Sequence, residues 1–172
     1  MSATTAYVGL GSNLQDPAAQ LKSAFAALAA LPSTSVVARS SLYRSAPVGY
    51  ADQPDFVNAV IALETELAPR ALLDALLEIE RRHGRVREFQ NSPRTLDLDV
   101  LLYGDLQLRE PGLTIPHPRM HERAFVLVPL AEIAPRQAIP GMGTVVEQLR
   151  RIGAHGVTLH EPGIAHSDKA SV

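Results

Sequence analysis

Short apolar segments, rich in valine, isoleucine and aromatic residues, alternate along this chain with longer segments rich in alanine and leucine. The first kind predicts strands and the second predicts helices. Two helix starts are marked, because Asp16 precedes Pro17 as a cap and Pro69 opens a second amphipathic segment. The predicted elements are a strand over 6–11, a helix over 18–31, strands over 34–45 and 56–65, a helix over 69–84 and a strand over 95–103.

This order is that of the βαββαβ, ferredoxin-like unit. The fold class it predicts is α+β, with an antiparallel sheet and helices packed on one face. A length of 172 residues suits one domain, to which we assign residues 1–160.

The C-terminal third carries weaker patterns. Residues 104–120 are predicted to form a Pro-rich connection, and residues 122–133 a short helix broken by Pro129. A last helix is expected over 144–151. Beyond it the chain is predicted to fray from 153, with a flexible tail over 161–172.

Composition excludes several classes of protein. The formal net charge of -2 argues against a nucleic-acid-coating protein. The absence of cysteine excludes a disulfide scaffold, a thiolate zinc site and a cysteine nucleophile. The N-terminus shows no secretory pattern, and the longest apolar runs are much shorter than a membrane span. We therefore expect a cytoplasmic protein, with neither nucleic acid nor membrane as a partner. We also expect a monomer whose partners are small molecules.

Two carboxylates two positions apart mark the last predicted strand. Asp97 and Asp99 share one face of that strand, while Leu96, Leu98 and Val100 lie on the other. Carboxylate oxygens so placed suit hard cations such as Mg²⁺, including the metal pairs of phosphoryl-transfer enzymes. The alternative is a solvated strand face with two salt-bridged acids.

Arginines are concentrated directly before this pair. All the basic residues except Lys22 and Lys169 are arginine, and the cluster comprises Arg81, Arg82, Arg85, Arg87 and Arg94. Cations beside metal-binding carboxylates meet the electrostatic demand of phosphoryl transfer. A solvated helix end explains Arg81 and Arg82 equally well. No Walker or kinase glycine-rich loop accompanies the cluster, and Gly9-Leu10-Gly11 suits a strand-end turn.

Three further positions carry candidate binding chemistry. His117 is held between two prolines, so its imidazole could donate a hydrogen bond to a phosphate. The alternative is a surface histidine in a rigid turn. Asn58 offers a donor and an acceptor to the edge of a heterocycle. Phe56 lies on the same strand face as Asn58, where core packing is its alternative role. His121 lies four residues after His117, but the order of residues does not favour zinc.

Four blocks of sequence together resemble a known enzyme family, the 6-hydroxymethyl-7,8-dihydropterin pyrophosphokinases. The third and fourth blocks, PRTLDLD and IPHPRM at their centres, carry the resemblance most specifically. The blocks are residues 7–14, 41–47 with 53–58, 84–87 with 93–99, and 115–120 with 123–127.

The resemblance implies transfer of a pyrophosphoryl group from ATP to the hydroxymethyl group of the pterin, giving AMP and the pterin diphosphate, in folate biosynthesis. It implies two Mg²⁺ ions held by Asp97 and Asp99, and Arg85 and Arg94 as catalytic cations. The residues it implies for the pterin are Ser45, Val48, Phe56, Asn58 and Phe125. Those it implies for ATP are Glu80, Arg87, His117, Arg119 and Arg123.

Two features depart from the family pattern. The segment 88–92, expected to close over the substrates, lacks a tryptophan and a basic residue found in some members and is shorter. Gly112 occupies a position where some relatives have an arginine. One phosphate contact is therefore expected to be missing.

Two other classes of function share the predicted strand order. A ferredoxin-like ligand-binding module would not need paired strand carboxylates beside an arginine cluster. An RNA-binding sheet of similar topology needs a basic face and exposed aromatic residues. The predicted strands offer for this only Tyr7, Tyr43, Phe56 and Tyr103.

Overall fold

The computed structural model describes residues 2–14, 16–47, 53–84 and 96–163, and these contain ten strands and four α-helices. The strands are β1 Thr4–Ser12, β2 Thr34–Arg39, β3 Leu42–Ser45, β4 Phe56–Thr65, β5 Asp97–Tyr103, β6 Leu108–Glu110, β7 Leu113–Ile115, β8 Ala138–Ile139, β9 Gly143–Thr144 and β10 Val157–Glu161. The helices are α1 Pro17–Ala29, α2 Pro69–Arg82, α3 Ala124–Ile133 and α4 Val145–Ile152, with a short 3₁₀ helix Met120–Glu122. Within these ranges, none of the helices is long and apolar enough to cross a membrane.

The main sheet is antiparallel, with strand order β10-β3-β4-β1-β5 and β2 beside β4. The predicted βαββαβ order is confirmed, except that the strand expected over 34–45 is two strands. The interruption lies at Ser40 and Ser41. The Ser40 hydroxyl accepts a hydrogen bond from the backbone N–H of Val60 at 2.9 Å. A side chain thus occupies a position that a ladder carbonyl would otherwise take.

Helices cover both faces of this sheet. Alternate residues of β4 separate the two cores: Ile61 packs in the core with α1 and α2, whereas Val60 and Ala62 pack in the core with α3 and α4. The prediction of helices on one face is correct for α1 and α2 and wrong for the rest. The nearly continuous apolar sequence of β4 is the reason, because a strand buried on both sides needs apolar residues at every position.

Helix α3 runs through the proline that was expected to break it. Pro129 lies inside α3, where it removes one helical hydrogen bond to Phe125. Leu127 and Leu130 on either side are fully buried in the second core. Burial of these leucines offsets the lost hydrogen bond, since each contributes about 1.5–3 kcal/mol.

The segment after α4 does not fray as expected. Residues 157–161 form β10 and pair with β3, and β10 ends at Glu161, the first residue of the predicted tail. The backbone N–H of Gly163 donates to Ser41 Oγ at 2.8 Å. Pairing occurs because β3 would otherwise be an open sheet edge. The remainder of the predicted tail lies outside the described residues.

Two other predictions for the C-terminal third agree more closely with the observed elements. Thr144 caps α4 through a reciprocal capping box with Glu147, so the predicted helix over 144–151 is shifted by one residue. The expected connection over 104–120 contains the β6–β7 hairpin instead of being wholly irregular.

Candidate active site

A cleft of about 1010 Å³ opens on the face of the sheet that α3 and α4 cover only in part. Its floor comes from β1, β4 and β5. Its walls come from the end of β3, the start of α3 and the turn between α4 and β10. Residues far apart in the sequence, from β1 to the start of β10, therefore line one concave surface.

Strand register aligns the floor of the cleft. Asp97 pairs with Gly11, and Gly11 pairs with Asn58, while Asp99 pairs with Gly9. Residues directly opposite one another in antiparallel strands share a face. The glycines carry no side chain, so the floor between the carboxylates and Asn58 is backbone. This leaves room for a ligand to lie close to the sheet.

The carboxylate pair lies as the sequence predicts. Asp97 and Asp99 are half-buried and line the cleft, whereas Leu98 and Val100 point into the opposite core. Two hard oxygen donors on one strand face fit Mg²⁺ by their chemistry. Among the described residues, no group of three or more His, Cys, Asp or Glu side chains is poised to hold a metal. An ion here would complete its coordination shell with water and ligand oxygens, as Mg²⁺ ordinarily does.

Ser45, Asn58 and Phe56 meet at the other end of the floor. The buried Asn58 amide donates to Ser45 Oγ at 2.6 Å, which fixes the amide orientation. Phe56 pairs with Ser45 across β3 and β4 and lines the cleft. Phe125, near the start of α3, lines it as well, and the Arg123 guanidinium lies 5.6 Å from the centre of its ring. Two aromatic rings and a fixed amide suit a flat heterocycle.

His117, Arg119 and Arg123 line the cleft beside the carboxylates. His117 is fixed by its backbone, because its N–H donates to the Leu101 carbonyl at 2.9 Å. The backbone N–H of Arg119 donates to His117 Nδ1 at 3.2 Å, which assigns the ring proton to Nε2. Burial, followed by the charge of Arg123, lowers the pKa of His117 to about 4, although Asp97 acts in the opposite direction. The imidazole is thus neutral at pH 7 and can donate through Nε2.

Glu80, which the resemblance assigns to the ATP site, is not among the residues that line the cleft, and its assignment stays a prediction. It is 3% exposed, and its carboxylate accepts a hydrogen bond from the backbone N–H of Leu98 at 2.6 Å. This bond holds the edge strand β5 between its two aspartates. Helix α2, which carries Glu80, packs on the sheet face opposite the cleft. The remaining predicted site residues, Val48, Arg85, Arg87 and Arg94, lie outside the described residues.

Sequence reasoning missed two parts of the cleft. Gly9 and Gly11 are interior residues of β1, and the signal was available, since glycines at a spacing of two within a strand mark a close approach. The turn between α4 and β10, with His155, had no readable signal. Its contribution depends on the pairing of β10 with β3, in which Val157 lies opposite Ser45.

The fold and the site together define a ferredoxin-like α+β protein with an open cleft that carries carboxylates, arginines and aromatic rings. The sequence model of the 7,8-dihydro-6-hydroxymethylpterin-pyrophosphokinase (HPPK) family matches residues 7–135. The chain belongs to this family. The resemblance seen in the four sequence blocks is confirmed.

Curated relatives carry the name 2-amino-4-hydroxy-6-hydroxymethyldihydropteridine pyrophosphokinase. The protein of Haemophilus influenzae is 49% identical over 151 residues, covering 88% of this chain and 94% of the relative. That of Methylorubrum extorquens is 51% identical over 154 residues, covering 90% of this chain and 97% of the relative.

Solved structures agree in fold. A Plasmodium falciparum HPPK-DHPS superposes with a TM-score of 0.69 at 14% identity, over 91% of this chain and 49% of that chain. Another HPPK-DHPS, in complex with substrates, superposes with a TM-score of 0.67 at 12% identity, over 87% of this chain and 43% of that chain. This chain thus spans less than half the length of those proteins, and the likeness concerns the fold.

Proposed function

We propose that the cleft transfers the pyrophosphoryl group of ATP to the hydroxymethyl group of 6-hydroxymethyl-7,8-dihydropterin. The chain is accordingly an ATP-dependent diphosphotransferase of folate biosynthesis. The observation that carries the proposal is the row Asp97–Gly11–Asn58 across three strands. It sets metal-binding chemistry and heterocycle-binding chemistry on one face, with only backbone between them.

The pterin occupies the end of the cleft that holds Ser45, Phe56, Asn58 and Phe125. Its ring stacks between the two phenylalanines, and Asn58 reads its edge with the amide that Ser45 orients. The family resemblance adds Val48 to the residues proposed to bind the pterin.

The triphosphate lies towards Asp97 and Asp99, which would hold two Mg²⁺ ions with the help of phosphate oxygens and water. Magnesium held there would supply positive charge to the phosphates and would lower the pKa of the attacking hydroxyl. His117 donates to the nucleotide as a neutral imidazole, and Arg119 and Arg123 contribute positive charge. Arg87 adds a further cation to the nucleotide.

The reaction is an in-line displacement at the β-phosphorus. The hydroxymethyl oxygen forms a bond to that phosphorus while the bond from the phosphorus to the bridging oxygen of the α-phosphate breaks. AMP leaves with that oxygen, and the hydroxyl proton passes to solvent. Arg85 and Arg94 stabilise the charge on the transferred group.

The decisive experiment is incubation of the purified chain with ATP, Mg²⁺ and 6-hydroxymethyl-7,8-dihydropterin. The expected products are AMP and the pterin diphosphate in equal amounts, separated by chromatography. Release of ADP, or of AMP without any pterin diphosphate, contradicts the proposal. A reaction without the pterin is the control for simple ATP hydrolysis.

The proposal includes a cytoplasmic monomer whose partners are these small molecules. Sedimentation in the presence and absence of both substrates tests the monomeric state. A concentration-dependent dimer would contradict it.

A further inference from the structure

Glu132, near the C-terminal end of α3, joins this helix to β3. One carboxylate oxygen accepts hydrogen bonds from the backbone N–H of Ser41 at 2.8 Å and from the Tyr43 hydroxyl at 2.7 Å. The other accepts from Ser41 Oγ at 2.9 Å. Burial and the bond to Glu132 raise the pKa of the Tyr43 phenol, so it remains a donor. Three donor groups, two on Ser41 just before β3 and one on Tyr43 within β3, thus bind one side chain of α3.

The same point also holds the C-terminal segment. Ser41 Oγ accepts from the backbone N–H of Gly163 at 2.8 Å. A Cβ on Gly163 would stand 2.9 Å from the Ser40 carbonyl oxygen, so this position requires close backbone contact. Glu132 therefore lies where α3, β3 and the segment after β10 meet.

Each of these elements carries a cleft residue at its other end. Phe125 precedes Glu132 by seven residues, which is about two helical turns, so the two side chains share a face of α3. Ser45 ends β3, and Val157 begins β10 opposite it. Tyr43 itself pairs with Asn58. A shift of α3 at Glu132 would thus move Phe125 relative to Phe56 and Asn58.

We propose that Glu132 is a positioning residue that sets the distance between Phe125 and the sheet, and so the width of the pterin end of the cleft. The inference rests on the proposed function. Among the described residues, the hydrogen bonds of Glu132 run to Ser41 and Tyr43, whereas the carboxylate end is held by the ladder between β1 and β5. Loss of Glu132 is therefore expected to weaken pterin binding and to spare ATP binding.

The Glu132→Ala variant is expected to fold. Glu132 is exposed to solvent, so water can hydrogen-bond to the groups that the substitution leaves without Glu132. Glu132→Gln keeps an acceptor for Ser41 and Tyr43, and Tyr43→Phe removes one donor only. The three variants therefore remove the hydrogen bonds between Glu132 and β3 to different extents.

Steady-state kinetics of wild type and variants test the inference. For E132A the expected result is a KM for the pterin raised about tenfold, with kcat and the KM for ATP within about twofold of wild type. E132Q should recover most of the pterin KM, and Y43F should lie between E132Q and E132A. The binding constant for the pterin, measured with Mg²⁺ and a non-hydrolysable ATP analogue, should follow the same order.

Glu147→Ala is the matched control. It removes another exposed carboxylate that bonds to backbone at a helix end, but Glu147 caps α4 and does not line the cleft. Its pterin KM should equal that of wild type even where its melting temperature falls.

The outcomes separate the two proposals. A wild-type chain that releases no AMP overturns the proposed function. If wild type releases AMP, two results for E132A would overturn the positioning role alone. One is an unchanged pterin KM, and the other is a KM that rises equally for both substrates. Should E132A not fold, Y43F decides by the same criterion, with an expected rise of about threefold in the pterin KM.

Discussion

Gly11 lies directly opposite Asn58 on neighbouring strands, and a Cβ at Gly11 would stand 3.3 Å from Asn58 Oδ1. It would also lie 3.8 Å from the ring of Phe56. The glycine therefore keeps open the space between the carboxylates and the amide. A strand interior otherwise disfavours glycine, which packs no side chain there.

Gly11→Ala tests whether Gly11 keeps this part of the cleft open. The added methyl group presses on Asn58 and occupies the cleft, so the KM for the pterin should rise at least about tenfold, a cost of roughly 1.4 kcal/mol in binding. The melting temperature should change little, because Gly11 has the extended backbone of an ordinary strand residue. A pterin KM equal to that of wild type would show that the ligand lies elsewhere.

Neutralising either cleft carboxylate should abolish turnover. Asp97→Asn and Asp99→Asn remove the charge that holds a divalent cation, and kcat/KM should fall by more than about a hundredfold. Circular dichroism should remain that of wild type. Asp105→Asn is the control, since this exposed residue in the turn after β5 loses the same charge away from the cleft. Wild-type rates of AMP release in D97N or D99N would exclude the metal role.

Arg85→Ala is expected to lower kcat more than it weakens substrate binding. The predicted role of Arg85 is to stabilise charge that develops on the transferred group, so its contribution should be larger in the transition state than in the ground state. Rapid-quench measurement of the chemical step, beside equilibrium binding of ATP, separates the two effects. An unchanged rate with weaker ATP binding would assign Arg85 to ground-state binding.

His117 should make the protein less stable in acid. Its pKa in the fold, about 4, is below the value of 6.5 for the unfolded chain. The unfolded state therefore binds more protons between these values, and stability is lost as the pH falls from about 6.5 towards 4. Because the ring is only partly buried, we expect about 1 kcal/mol of this loss by pH 5.

Urea unfolding of wild type and His117→Gln at pH 7 and pH 5 measures this contribution. The variant should lose less stability than wild type between the two pH values, whatever its stability at pH 7. Equal losses in both proteins would mean that His117 titrates normally in the fold. Measurements without ATP and metal keep ligand binding out of the comparison.

The sequence predicted the parts of the site that lie on one element. Asp97 and Asp99 share a face because a strand alternates, and this needs no tertiary information. The burial of Glu80 against β5 could not be predicted, because it depends on which face of the sheet α2 covers. The break at Ser40 was missed because a hydroxyl replaces a backbone group of the ladder, and the amino-acid pattern on both sides still favours a strand.

By itself, the sequence determined the order of the elements, the family and the chemical types of the site residues, since these depend on local periodicity and on motifs contiguous in the chain. Only the tertiary structure decided that Asp97, Gly11 and Asn58 form one row, that α3 brings Phe125 over the sheet, and that β10 closes the cleft beside Ser45. These are relationships between segments far apart in sequence. They follow from strand register and from burial on both faces of the sheet, which no local pattern encodes.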